Sequence, residues 1–142
     1  MPDVVSRVMK INLRARSREG IEHLLVDVLG AAPGPDRGSN TRGDFDGAFF
    51  DVGGVTFDVM VPNGPESALE RVIERYGEGI DSICFSVDDM DHTQSELAKQ
   101  GVQFSSLEEF RGNRVAFVSR KDACGISLEF IQPPSNDAPR EA

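Results

Sequence analysis

The chain has 142 residues, a net charge of −9 and 39% hydrophobic residues. That length suits one domain with an ordinary core, and no apolar run approaches the roughly 20 residues of a membrane-spanning helix. An acidic surface repels nucleic acid and anionic membranes, which excludes both as expected partners; a small anionic ligand stays open, because a local Lys/Arg cluster in a cleft outweighs the global sign. The start, MPDVVSRVMK, lacks a signal peptide's charged and apolar stretches, and Cys84 and Cys124 form no disulfide framework or metal-ligand spacing. A cytoplasmic protein with free thiols is expected.

Residues 8–14 alternate, with Met9, Ile11 and Leu13 on one face and Lys10, Asn12 and Arg14 on the other, which predicts a strand. Ser17 offers an N-cap, and Ile21, Leu24, Leu25, Val28 and Leu29 follow at helical spacing until Gly30. Residues 31–44, rich in Gly, Pro and Asp, read as a loop. Residues 47–51 and 55–61 read as strands joined by a Gly53-Gly54 turn, too poor in surrounding glycines and lacking the lysine of a phosphate loop. Ser67 and Glu70 make a capping-box pattern ahead of Leu69, Val72, Ile73 and Tyr76, a short helix ending at Gly77.

The order then recurs. Residues 80–87 form a strand, Asp89 caps a helix that runs to Gly101, residues 102–104 form a short strand, and residues 115–118 and 126–131 form a hairpin. Residues 134–142 read as a disordered tail. The halves align weakly: Lys10 to Arg14 over Ser82 to Ser86, Ala48-Phe49 over Ala116-Phe117, and Phe57 to Val59 over Leu128 to Phe130. Two copies are too few for a solenoid. They predict an α+β domain over residues 1–133, built from two βαβββ modules at about 7–62 and 79–133 whose curved mixed sheets surround a shared cleft.

PNGPESALERVIERYGEGIDSICFSVDDMD (residues 62–91) and GNRVAFVSRKDACGISLEFIQPP (residues 112–134) resemble segments of the methylmalonyl-CoA epimerases, within the vicinal-oxygen-chelate (glyoxalase/bleomycin-resistance/dioxygenase) superfamily. The helix ending in VDVLG resembles the superfamily's usual opening. The resemblance implies a cleft floor where side chains from the first and last strands of each half hold a divalent metal, which stabilises an enolate-type oxyanion. By position those places are Lys10, Asp58, Ser82 and Glu129. Lys10 stands where a His is usual, and Asp81 and Ser82 replace a His pair. A lysine ammonium has no lone pair and opposes a cation, so no metal or other cofactor is expected.

Strand alternation assigns to the cleft Lys10, Asn12, Arg14, Asp58, Met60, Ser82, Cys84, Ser86, Arg114, Ala116, Ser127 and Glu129. The alternate residues Ile11, Leu13, Ile83, Phe85, Phe117, Leu128 and Phe130 are assigned to the core. Lys10, Asp58 and Glu129 are the candidate catalytic residues, with Lys10 as oxyanion stabiliser and Glu129 as proton-transfer base. The same cluster also reads as a structural ion-pair group filling a former metal site. Asn12, Arg14, Ser82, Arg114, Met60 and Phe50 are the candidate substrate contacts, the two arginines for an anionic group and Phe45, Phe49, Phe50 and Met60 as apolar walls. Asp44 and Asp46 are the nearest carboxylates for a second acid/base. His23 and His92 fall on helices, away from the cleft.

Two functions compete. One is a metal-independent isomerase, epimerase or lyase that moves a proton next to a carbonyl of a small carboxylated or acyl-CoA-like metabolite. The other is a non-catalytic small-molecule binding protein of the bleomycin-resistance type. A metalloenzyme with rearranged ligands such as Asp58, Asp81 and Glu129 ranks behind both. The likeness also implies a homodimer.

Overall fold

The alternation of residues 8–14 yields β1 (Arg7–Arg14). The computed structural model describes residues 3–40 and 43–134 and divides into two compact units. The N-terminal unit is Lys10–Asp81, and the C-terminal unit joins the residues before Lys10 to those from Ser82 onward. The predicted tail lies beyond the described residues, apart from Pro134.

In the N-terminal unit, Ser17 Oγ accepts from the Gly20 amide at 3.2 Å and starts α1 (Arg18–Glu22). The helix then widens into a π-helical stretch, His23–Val28. The wider turn breaks the predicted 3.6-residue stripe. Leu25 is buried, while Leu24, Val28 and Leu29 stand exposed.

The segment read as a loop contains β2 (Ala32–Ser39), paired antiparallel with β3 (Phe45–Val52). Composition misleads there because β2 ends the strand order β2-β3-β4-β1, and an edge strand tolerates Pro33, Pro35 and the register shifts that break its ladder. β4 (Val55–Pro62) returns through Gly53-Gly54, whose φ of 56° and 84° require glycine, and lies parallel to β1. Ser67 Oγ caps α2 (Ala68–Tyr76) by accepting from the Leu69 amide, whereas Glu70 reaches Arg16 instead of closing the capping box. Leu69 and Ile73 are buried, and Tyr76, expected on the same stripe, is exposed. Leu13, Leu25, Ala48, Phe50 and Val59 form the core on the α1 side of the sheet.

The C-terminal unit carries β5 (Gly79–Ser86) from Ser82 on, α3 (Met90–Lys99), β6 (Ser106–Phe110), β7 (Asn113–Val118) and β8 (Leu128–Gln132), in the order β5-β8-β7-β6. Asp89 caps α3 by accepting from the His92 amide at 3.1 Å. Residues 102–104 form no strand. The Val102 amide donates to the Leu97 carbonyl, and Val102 and Phe104 plug the core made by Val87, Met90, Ala116, Val118 and Phe130. Phe130 packs its ring on Phe85 and Phe104, both at 5.8 Å. Each unit thus repeats a βαβββ order, and no described helix is long and apolar enough to cross a membrane.

Candidate active site

The sheet face of the N-terminal unit away from α1 is built in rows. Asn12, Asp58 and Phe49 stand side by side across β1, β4 and β3, with Arg14, Met60 and Gly47 in the next row. Lys10, two residues before Asn12, shares that face by strand alternation. Lys10, Asn12, Arg14 and Asp58 are all buried, Asp58 at 2% exposure. Lys10 Nζ donates to Asp58 Oδ2 at 2.5 Å and lies 5.8 Å from the centre of the Phe49 ring.

Arg37, absent from the sequence-based site, joins them. Its Nη2 stands 2.7 Å from Asp58 Oδ1, and its guanidinium lies 5.4 Å from the Phe49 ring centre. The Arg37–Asp58 contact is an ion pair without hydrogen-bond alignment, since Oδ1 accepts no well-directed donor. β2 aims Arg37 inward through a bulge: Asp36 faces Ala48 and Gly38 faces Gly47, leaving Arg37 as the extra residue, with Gly38 at φ 71°. Composition hid this arginine inside an apparent loop. The readable signal was Gly47 in an otherwise bulky strand, a mark of close approach by another group.

The structure puts several expected ligand contacts to other uses. The Arg14 guanidinium donates to the Gly77 carbonyl at 2.7 Å, the Ile80 carbonyl at 2.9 Å and Asp81 at 3.1 Å, tying β1 to the end of α2 and the start of β5. Phe50 belongs to the core with Leu13 and Val59, because strand alternation gives the position beside Asp58 to Phe49. Arg114 pairs with Asp91 of α3 at 3.1 Å, on the helix side of its sheet. Ala116, assigned to the cleft, is fully buried beside Phe130, and Phe117, assigned to the core, takes the other face. The β7 assignment was therefore one residue out of phase, which turns every side chain over. Asp44 accepts from the Ala68 amide at the start of α2, and Asp46 accepts from Ser39.

In the C-terminal unit, Cys84, Glu129 and Phe117 form one row across β5, β8 and β7. Ser82, Cys84, Ser86 and Glu129 are buried. Val115, Ile131, Met9 and Phe110 complete an apolar patch with Cys84 and Phe117 on that face. Elsewhere, hydrogen bonds to Asp36 and Glu22 raise the proton affinity of the Arg18 guanidinium, and Lys99 holds the Glu96 carboxyl below its ordinary range; neither touches these rows. Arg18, Asp46, Phe50, Val59 and Val61 border a small open pocket of about 100 Å³ on the α1 side of the N-terminal sheet.

The sequence model of the Glyoxalase/Bleomycin resistance protein/Dioxygenase superfamily matches residues 9–117. The chain belongs to this superfamily. Solved structures with the same fold include the hypothetical protein BH1468 from Bacillus halodurans C-125, at TM-score 0.80 and 22% identity over 94% of this chain and 98% of that one. Methylmalonyl-CoA epimerase from Mycobacterium tuberculosis follows at TM-score 0.79 and 20% identity, covering 94% and 91%. A single-residue variant of the Streptomyces coelicolor methylmalonyl-CoA epimerase, in complex with 2-nitronate-propionyl-CoA, has TM-score 0.79 and 18% identity, covering 95% and 99%. In sequence, the uncharacterized protein YqjC of Bacillus subtilis (strain 168) is 26% identical over 91 residues, 61% of this chain and 64% of that protein. The alignment thus spans under two thirds of that relative.

Of the four positions that the resemblance assigns to a metal, the N-terminal unit holds Lys10 and Asp58. Lys10 places an ammonium at the first, and Asp58 at the second already has cationic nitrogens 2.5 Å and 2.7 Å from its two oxygens. Among the described residues no three His, Cys, Asp or Glu side chains gather as a metal-binding group.

Proposed function

We propose that this superfamily member is a metal-independent enzyme of the isomerase, epimerase or lyase type, moving a proton on the carbon next to a carbonyl of a small carboxylated or acyl-CoA-like metabolite. The observation that carries this is the buried Lys10 ammonium held at 2.5 Å by Asp58. Loss of an α-proton leaves negative charge on the carbonyl oxygen, and an ammonium already fixed and desolvated stabilises that charge without reorganising. Asp58 aims the amine, and the face of Phe49 at 5.8 Å adds a further favourable field. Both Asp58 oxygens lie against cations, which suits an orienting group better than a base. Glu129, a buried carboxylate of the C-terminal unit, is the candidate base read from the sequence. Likeness in fold to methylmalonyl-CoA epimerases supports an acyl-CoA substrate class.

The test is solvent deuterium incorporation into methylmalonyl-CoA, read by mass spectrometry with chelator present throughout. The wild-type chain is expected to exchange the α-proton, and Lys10→Met to lose about a hundredfold or more while melting as a folded protein. Unchanged exchange in Lys10→Met removes the ammonium from the chemistry. Tight binding with full recovery of undeuterated ligand makes the chain a binding protein of the bleomycin-resistance type.

A further inference from the structure

Arg37 is built into its place with more care than a surface arginine needs. A bulge turns it inward, its side chain is 15% exposed, and the missing side chain of Gly47 makes room for it. A Cβ at Gly47 would stand 2.6 Å from Arg37 Cζ and 2.8 Å from Nε, so any other residue there displaces the guanidinium. Arg37 and Lys10 take opposite oxygens of one buried carboxylate, above one aromatic ring.

We propose that Arg37 is a positioning residue that closes the superfamily's metal position, so that Lys10 and Arg37 together form a built-in pair of cations in place of an exchangeable divalent ion. The proposal rests on the metal-independent function above and deepens it. Replacing Lys10 alone does not reopen the position, because Arg37 still covers Asp58. A second cation within ion-pair distance of that carboxylate repels an incoming divalent ion strongly in a buried setting.

Mn²⁺ titration followed by electron paramagnetic resonance tests this without reference to turnover. The wild-type chain and Lys10→His are both expected to bind weakly. Lys10→His with Arg37→Ala is expected to bind at least about tenfold more tightly than Lys10→His alone. Lys10→His with Arg37→Lys, which keeps a cation, is expected to return to weak binding, a rescue that a purely packing role would not give. If Arg37→Ala unfolds the chain, Gly47→Ala displaces the same guanidinium with one methyl group and replaces it in the double variant. Equal Mn²⁺ affinity in Lys10→His and the double variant, or tight binding by the wild type, overturns the proposal. Wild-type α-proton exchange that dies in chelator while the titration series behaves as expected overturns the proposed function and leaves Arg37's role standing.

Discussion

The two units carry the same row on corresponding strands and furnish it differently. In one, Asp58 stands opposite Phe49 and beside Asn12; in the other, Glu129 stands opposite Phe117 and beside Cys84. Around Asp58 the N-terminal unit adds Lys10 and, from its bulged edge strand, Arg37. The corresponding edge of the C-terminal unit is β6, which pairs with β7 in unbroken register and brings no such arginine. Its face instead collects Val115, Ile131, Phe110 and Phe117. One backbone plan therefore supports an ion cluster in one copy and an apolar patch in the other. A buried carboxylate gripped by two cations is a demanding arrangement, since each charge loses its hydration and must recover it from its partners.

The sharpest way to break this contrast is to delete the carboxylate at its centre. Asp58→Ala leaves two cations buried without it, and urea unfolding should show a loss of about 3–5 kcal/mol. A loss under about 1 kcal/mol would mean that Lys10 and Arg37 escape to water. Next comes Ala116→Leu in the other unit. Its fully buried position beside Phe130 predicts overpacking worth about 1–3 kcal/mol, readable in the same unfolding experiment. Wild-type stability would restore Ala116 to the open face. The smallest effect belongs to Arg114→Ala. Its partner Asp91 is 77% exposed, so stability should fall by less than about 1 kcal/mol, and the affinity for any acyl-CoA ligand should hold. A tenfold weaker ligand would bring Arg114 back into the site.

Much of the plan was open to reading along the chain. The period-two pattern of β1 and β5, the caps at Ser17, Ser67 and Asp89, and the Gly53-Gly54 turn are local signals that neighbouring residues enforce. They carried the α+β fold, the repeat and the placement of Asn12 and Asp58 on one face of the sheet. Where two faces of a short strand were nearly equally apolar, as in Val115 to Val118, alternation alone could not choose the phase, and β7 was read upside down.

What the chain alone determined is therefore periodic and local: which segments are strands, where helices begin, and that Lys10, Asn12 and Arg14 share one face of the first strand. Only the tertiary structure decided that Arg37 turns inward, that Arg14 is spent on the carbonyls of Gly77 and Ile80, and that Gly47 is empty to admit a guanidinium. These depend on strand order, register and a bulge, which arise from pairing between residues far apart in sequence and leave little trace in any one stretch of it.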